Sequence, residues 1–95
     1  MKAYLNLIKY ALKSGNTLSV WDGEIWEVKH STKYTEIKEC IESVEEAQII
    51  IRDSEGQKLG WALILPYEVG AEETVCDFTY NNYMNAWWKE FTKNN

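Results

Sequence analysis

The sequence predicts a single α+β domain, residues 1–95, with a four-stranded, mainly antiparallel sheet and helices packed chiefly on one side. Three observations lead to this prediction. Apolar residues recur at helical spacing in three segments, two pairs of strand-like segments are each joined by a glycine-containing turn, and 95 residues suffice for one modest core. The elements follow the order α-β-β-α-β-β-α.

The first predicted element is an amphipathic helix that ends near Gly15. Its apolar residues recur at intervals of three and four, and Lys and Asn residues occupy the opposite side. Glycine tolerates the left-handed conformation that often closes a helix, which suits Gly15 to this position. The expected buried stripe is Tyr4, Leu5, Ile8, Ala11 and Leu12.

Residues 17–30 predict a β-hairpin, because Asp22-Gly23 favours the positive φ angles of a tight turn. The turn centres either on Asp22-Gly23 or on Gly23-Glu24. In both cases strand parity makes the hairpin apolar on both sides. The two expected faces are Trp21, Trp26 and Val28, and Leu18 and Val20.

A second helix is predicted after this hairpin, with Ser31 or Thr32 as its N-terminal cap, since hydroxyl oxygens accept first-turn amide bonds. Its acidic and basic residues lie mostly outward. The expected buried stripe is Ile37, Cys40, Ile41 and Val44.

A second hairpin is predicted over residues 47–65, with a three-residue loop, 54–56, that places Gly56 in the left-handed region. Strand parity then defines a core face of large apolar residues and a mixed reverse face whose small residues allow close approach of another backbone. The expected core face is Ile49, Ile51, Leu59, Trp61 and Leu63. The expected reverse face is Gln48, Ile50, Arg52, Lys58, Gly60, Ala62 and Ile64.

Pro66 ends the last strand of this hairpin, because proline cannot donate a ladder hydrogen bond. Residues 67–73 are predicted to form a loop. Residues 74–78 form either a short edge strand or an extended lead-in to a final helix. That helix begins near Thr79 or Asn81, either of which can cap it, and runs to about Thr92.

The final helix is rich in aromatic residues, which span a wide arc because adjacent helical residues point about 100° apart. Trp87 and Trp88 therefore cannot both lie at the centre of one buried stripe. In one interpretation, one indole belongs to the core and the other covers the margin of the core. The alternative is a protruding aromatic residue beside acidic residues, which is typical of an interaction site.

The candidate chemical groups do not form a recognisable catalytic or metal-binding pattern. Zinc sites usually contain closely spaced cysteine or histidine pairs, whereas His30, Cys40 and Cys76 are far apart. A carboxylate beside a thiol raises its pKa, so Asp77 makes Cys76 a poor nucleophile. We expect no catalytic residues, no metal site, no cofactor and no enzymatic activity.

The charge pattern favours a protein partner. The formal net charge is −5, from 15 acidic and 10 basic residues, which argues against direct nucleic-acid binding through clustered Lys and Arg. An acidic surface favours a host protein with a basic surface. The expected partner-binding residues are Glu72, Glu73, Asp77, Tyr83, Trp87 and Trp88. The sequence does not indicate an oligomeric state.

The N-terminal segment interrupts its apolar run with Asn6 and Lys9, which argues against a signal peptide. The longest apolar stretch, residues 61–66, is far shorter than the ~20 residues that cross a bilayer. These features predict a cytoplasmic location and no contact with a membrane.

In general character the chain resembles the small orphan accessory proteins of bacteriophages and other mobile elements, without matching a named family. The resemblance is strongest in its ending, Ala71-Glu-Glu-Thr-Val-Cys-Asp-Phe-Thr-Tyr-Asn-Asn-Tyr-Met-Asn-Ala-Trp-Trp88. The resemblance covers under a third of the chain. It implies a protein that binds and modulates a host macromolecule, for example as an inhibitor of a defence complex such as CRISPR. Two alternatives stay open, a nucleic-acid mimic that blocks a basic DNA-binding protein and a small-ligand binder with an aromatic pocket in the first hairpin.

Overall fold

A computed structural model describes residues 1–93 as a five-stranded antiparallel sheet and three helices. The strands are β1 (Thr17–Trp21), β2 (Trp26–Ser31), β3 (Ala47–Arg52), β4 (Lys58–Ile64) and β5 (Val75–Phe78), in the spatial order β2-β1-β3-β4-β5. The helices are α1 (Ala3–Lys13), α2 (Tyr34–Glu42) and α3 (Asn82–Lys93). The α+β class is confirmed. The prediction of four strands is wrong, because residues 75–78 pair with β4 and add an edge strand.

Helix α1 ends as predicted, with Gly15 at φ +80°. Its start receives a cap from a distant part of the chain. The Ala3 amide donates to the Ala71 carbonyl at 3.0 Å, and the Tyr4 amide donates to Thr74 Oγ1 at 3.3 Å. Thr74 ends a short 3-10 helix, Glu72–Thr74, so residues near position 72 hold the first turn of α1 in place.

Helix α2 does not begin as predicted. Lys33 occupies the N-cap position, and its side chain forms no capping hydrogen bond. Ser31 instead stays in β2 opposite Leu18, and its Oγ accepts a hydrogen bond from the Lys33 amide. Ile37 and Ile41 are buried as expected, whereas Cys40 and Val44 lie at the margin of the core.

The predicted faces of the second hairpin are wrong because a β-bulge intervenes. The loop itself is as expected, with Gly56 at φ +86° and a hydrogen bond between the Asp53 amide and the Gln57 carbonyl. Beyond the Arg52–Lys58 pair the register shifts, so Ile51 faces Gly60 rather than Leu59. One extra residue in β4 moves every later side chain to the opposite face.

After this shift, the core face of β3 and β4 consists of Ala47, Ile49, Ile51, Gly60, Ala62 and Ile64. Gly60 is needed there, since a Cβ at this position would lie 2.4 Å from Met84 Sδ on α3. The bulged residue is also held by the start of α3. Asn81 Nδ2 donates to the Leu59 carbonyl at 2.9 Å, and Asn81 Oδ1 accepts the Met84 amide as the helix cap.

The first hairpin also contains register shifts. Its turn has Gly23 at φ +109°, and Trp21 pairs with Trp26 as expected. Val20 then pairs with Val28, which corrects the prediction that Val28 shares a face with the two tryptophans. A further shift occurs before Ser31, and His30 adopts a left-handed φ of 52° there.

The core lies between the three helices and one face of the sheet. Trp87 is 0% exposed, and its Nε1–H donates to Asn6 Oδ1 at 2.8 Å. Trp88 is partly exposed and packs against Phe78 at the margin. The interpretation of one core indole and one marginal indole is therefore confirmed.

Candidate functional site: an aromatic groove on the open face of the sheet

The face of the sheet opposite the helices carries large apolar side chains that remain partly exposed. Two rows of paired residues cross it. The first row is Trp26, Trp21, Gln48, Leu63 and Asp77, and the second is Ser19, Ile50 and Trp61. Trp21, Trp26, Ile50, Trp61 and Leu63 are all neither fully buried nor fully exposed. We call this surface the open face.

The open face contains a groove of about 260 Å³, lined by Trp21, Trp26, Gln48, Ile50 and Trp61. The Trp21 and Trp26 rings meet edge to face, with centroids 5.2 Å apart and an interplanar angle of 63°. Trp61 Nε1–H donates to Gln48 Oε1 at 3.0 Å, which fixes the orientation of the third indole. The groove thus has three aromatic walls and one aliphatic side chain.

The bulge in β4 and the tight turn of the first hairpin together create this groove. Without the bulge in β4, Trp61 would point toward the helices together with Ile49 and Ile51. With the bulge, Trp61 lies opposite Ile50 on the open face, within reach of Gln48. The tight turn at Gly23 supplies the other two walls because it pairs Trp21 directly with Trp26.

Acidic residues lie at one end of the groove. A cavity of about 150 Å³ is lined by Asp22 and Glu46 together with two groove residues, Trp21 and Gln48. Amide hydrogen bonds from Ile25 and Glu24 lower the pKa of Asp22. Glu45, Glu46 and Glu68 line a neighbouring depression beside Leu65 and Tyr67.

Basic residues lie at the other end. Lys29, His30 and Arg52 line a cavity of about 220 Å³ that shares only Trp26 with the groove. Arg52 lies opposite another basic residue, Lys58, in the register of β3 and β4. The open face is therefore polarised along the strands. Asp22 and Glu46 make it acidic at the end next to Trp21 and Gln48, and Lys29 and Arg52 make it basic at the end next to Ser19.

A larger depression, about 790 Å³, lies between β2 and α2. Most of its lining side chains are charged or polar, including Glu27, Lys33, Glu36 and Glu39. It is shallow and has Tyr34 as its one aromatic wall. The aromatic groove is the better candidate, because binding sites combine apolar walls with a few oriented polar groups.

The six predicted partner-binding residues lie in different parts of the molecule. Glu72 and Glu73 are exposed in the 3-10 helix, and Asp77 is exposed on the open face. Tyr83 is partly buried against α1, where its hydroxyl accepts a hydrogen bond from Asn16 Nδ2 and burial raises its pKa.

The two tryptophans of this set belong to the helix side of the sheet. Trp87 is fully buried and offers no surface to a partner, and Trp88 is only partly exposed. Only Asp77 of the six is on the open face. A role in partner binding for these residues stays a prediction.

The candidate chemical groups are also dispersed. Burial raises the pKa of Cys76, and the neighbouring carboxylates of Asp77 and Glu46 raise it further. Burial likewise raises the pKa of Cys40. Within residues 1–93, no group of three or more His, Cys, Asp or Glu side chains could hold a metal ion. Across the same residues, no helix is long and apolar enough to cross a membrane.

Sequence reasoning identified part of this site. The shared face of Trp21 and Trp26 was expected, and an aromatic pocket in the first hairpin was one of the alternatives. Trp61, Gln48 and Ile50 were missed as groove residues, because parity counted through a regular hairpin assigned Trp61 to the core. The sequence does contain one indication. Apolar residues follow one another without alternation in β3 and β4, which predicts apolar side chains on both faces of the sheet.

The fold and the groove define a small α+β domain with one helix-covered and one open aromatic sheet face. Comparison of the chain with protein-family models, with curated proteins and with solved structures found no match.

Proposed function

We propose that this chain is a small, acidic, non-enzymatic protein-binding module and that the open face is its docking surface. The observation that supports the proposal is the separation of two apolar surfaces. A continuous core forms on the helix side, while three indoles, Ile50 and Leu63 stay partly exposed on the other side. Contiguous exposed apolar residues of this kind typically mark interaction sites.

The groove suits a partner side chain better than a free metabolite. Its volume of about 260 Å³ is below the roughly 300–1,000 Å³ of typical small-molecule pockets. Gln48, the one polar lining residue, already accepts the Trp61 indole hydrogen. Tryptophan is enriched among the residues that dominate protein–protein binding energy, because one rigid ring buries a large area.

The partner proposed here is a host macromolecule. The net charge of −5 and the acidic residues beyond Trp21 favour a partner with a basic surface. The resemblance of residues 71–88 to accessory proteins of bacteriophages supports a host target, and inhibition of a defence complex such as CRISPR is the narrowest form of the proposal.

A capture experiment with matched variants tests the proposal. The tagged chain, Trp26→Ser and Trp61→Ser would be incubated with bacterial extract beside two controls, Tyr80→Ser and Val69→Ser. Tyr80 and Val69 are 86% and 98% exposed but lie outside the groove. Circular dichroism and thermal melts would verify that each variant folds.

We expect the wild type and both controls to retain the same protein, and the two groove variants to lose it. The purified partner should then bind with an affinity at least about tenfold weaker for Trp26→Ser than for Tyr80→Ser. Equal capture by all folded variants would refute the open face as the docking surface.

The nucleic-acid mimic is the alternative favoured by the depression lined by Glu45, Glu46 and Glu68. It makes a different prediction in the same experiment. Capture would survive Trp26→Ser, would be lost when these three residues are changed to Gln, and would be displaced by duplex DNA.

A further inference from the structure

We infer that the aromatic groove binds the guanidinium group of an arginine side chain presented by the partner. This inference rests on the proposed function and specifies the chemistry of the same site. It follows from three properties of the groove, namely its indole walls, the carboxylates next to it and the polarity of the open face.

The walls suit a cation. Each indole carries negative electrostatic potential on its ring faces, and tryptophan binds cations more strongly than tyrosine or phenylalanine does. Trp21 and Trp26 stand at 63° to each other, so the two rings form a corner rather than a flat platform. Trp61 supplies a third wall, and its bond to Gln48 holds it there without partner binding.

Two acidic residues line the cavity that adjoins the groove. Asp22 and Glu46 line the adjoining cavity, which shares both Trp21 and Gln48 with the groove. Asp22 Oδ1 is committed to the Glu24 and Ile25 amides, whereas Glu46 is exposed. Within residues 1–93 the one ion pair joins Lys38 to Glu42 on α2, so Glu46 forms none.

The polarity of the face favours a cation over an anionic ligand such as a nucleotide. The basic cavity with Lys29 and Arg52 shares only Trp26 with the groove, while the acidic cavity shares two residues. The net charge of −5 adds a field that attracts cations.

Arginine fits this geometry better than lysine. A guanidinium is planar, stacks on an aromatic ring and can pair with a carboxylate through two parallel hydrogen bonds. It is also more weakly hydrated than an ammonium group, so less hydration is lost when it enters an apolar groove. The groove thus offers a ring face and, at its Trp21 end, a free carboxylate.

Nuclear magnetic resonance of the indole N–H groups tests the inference directly. The full chain would be titrated through the millimolar range with N-acetyl-arginine amide and, separately, with N-acetyl-citrulline amide, which replaces the guanidinium by an uncharged urea of similar shape. The Nε1–H signals of Trp21, Trp26 and Trp61 should shift with the arginine probe. The buried Trp87 signal should not move, which makes it an internal control.

Two charge variants at opposite ends of the groove complete the test. Glu46→Gln should weaken binding of the arginine probe about threefold or more, while Arg52→Gln should leave it unchanged or strengthen it. Adenosine monophosphate serves as an anionic probe with an aromatic ring.

The inference would be overturned by equal shifts with arginine and citrulline probes, by no shift with the arginine probe, or by tighter binding of the nucleotide that Arg52→Gln abolishes. Each of these outcomes leaves the capture experiment decisive for the proposed function. If Trp26→Ser still loses the partner, the docking surface stands and only its arginine chemistry fails.

Discussion

The covered and open faces of the sheet are both apolar, but the three strand tryptophans all lie on the open face. On the covered face, Gly60 and Ala62 leave space that Met84 and the other helix residues fill. On the open face, Trp21, Trp26 and Trp61 line a groove formed by strand residues, and no helix residue lines it. The covered face also carries Ile49, Ile51 and Ile64, so its small residues mark only the place where α3 approaches closely, whereas the tryptophans of the open face form a surface of their own. Apolar character alone therefore does not identify the core side of this sheet.

The largest expected effect tests the covered face. Trp87→Ala should lower the free energy of unfolding by about 3–5 kcal/mol, because it empties a fully buried site and leaves Asn6 Oδ1 without its donor. Trp88→Ala should cost much less, since that ring lies at the margin. Urea unfolding of the two variants measures both values, and equal losses would contradict the division between core and margin.

A smaller loss is expected when the close approach of α3 is blocked. Gly60→Ala should destabilise by about 1–3 kcal/mol, because the new methyl group overlaps Met84. The double variant Gly60→Ala/Met84→Ala provides the control. Its loss should be smaller than the sum of the single losses, since both changes affect one space. Additive losses would show that Gly60 and Met84 are not coupled.

The link between α1 and α2 should make stability depend on pH. Glu42 accepts hydrogen bonds from the Tyr4 hydroxyl and the Lys38 ammonium, and the Tyr4 bond is the main reason that the pKa of Glu42 is lowered. A lowered folded-state pKa contributes stability above the unfolded value of ~4.3, and that stability is lost as the pH falls through the folded pKa. Glu42→Gln should therefore cost about 1.5 kcal/mol at pH 7 and progressively less toward pH 3. If the stability difference between the wild type and Glu42→Gln were the same at pH 7 and pH 3, the ionised carboxylate of Glu42 would not be its source.

The smallest stability effect is expected on the open face. Trp26→Ser should lower the free energy of unfolding by about 1 kcal/mol or less, chiefly by removing the edge-to-face contact with Trp21. Thermal unfolding measures this value, and partner capture measures the accompanying loss of binding. A cost as large as that of Trp87→Ala would mean that the open face is a second structural core.

Much of the fold could be predicted from local patterns. Gly15 and Asn81 mark helix ends through their backbone and hydrogen-bonding chemistry, and Gly56 marks the second turn. The sequence does not separate a fifth strand from an extended segment, because the four residues that end at Phe78 carry too little periodicity.

The site was harder to predict because the position of Trp61 depends on one inserted residue in β4. A bulge adds one residue to a strand without a strong compositional signal, yet it reverses the face of every later side chain. The extra residue at Leu59 is stabilised by Asn81, which lies 22 positions away. Counting alternate residues along a regular strand takes no account of such a distant contact. It therefore predicts the wrong face for Trp61.

The cap of α1 also has a consequence for synthesis on the ribosome. Its first amides need acceptors from Ala71 and Thr74, and Asn6 needs the indole of Trp87, 81 positions later. A nascent chain that has emerged only through β4 lacks all three partners. Long sequence separation slows folding, because loop-closure entropy is lost before the contacts form. We therefore expect α1 to reach its final packing only after the α3 segment has emerged, which makes the last-made part of the domain a requirement for completing the first.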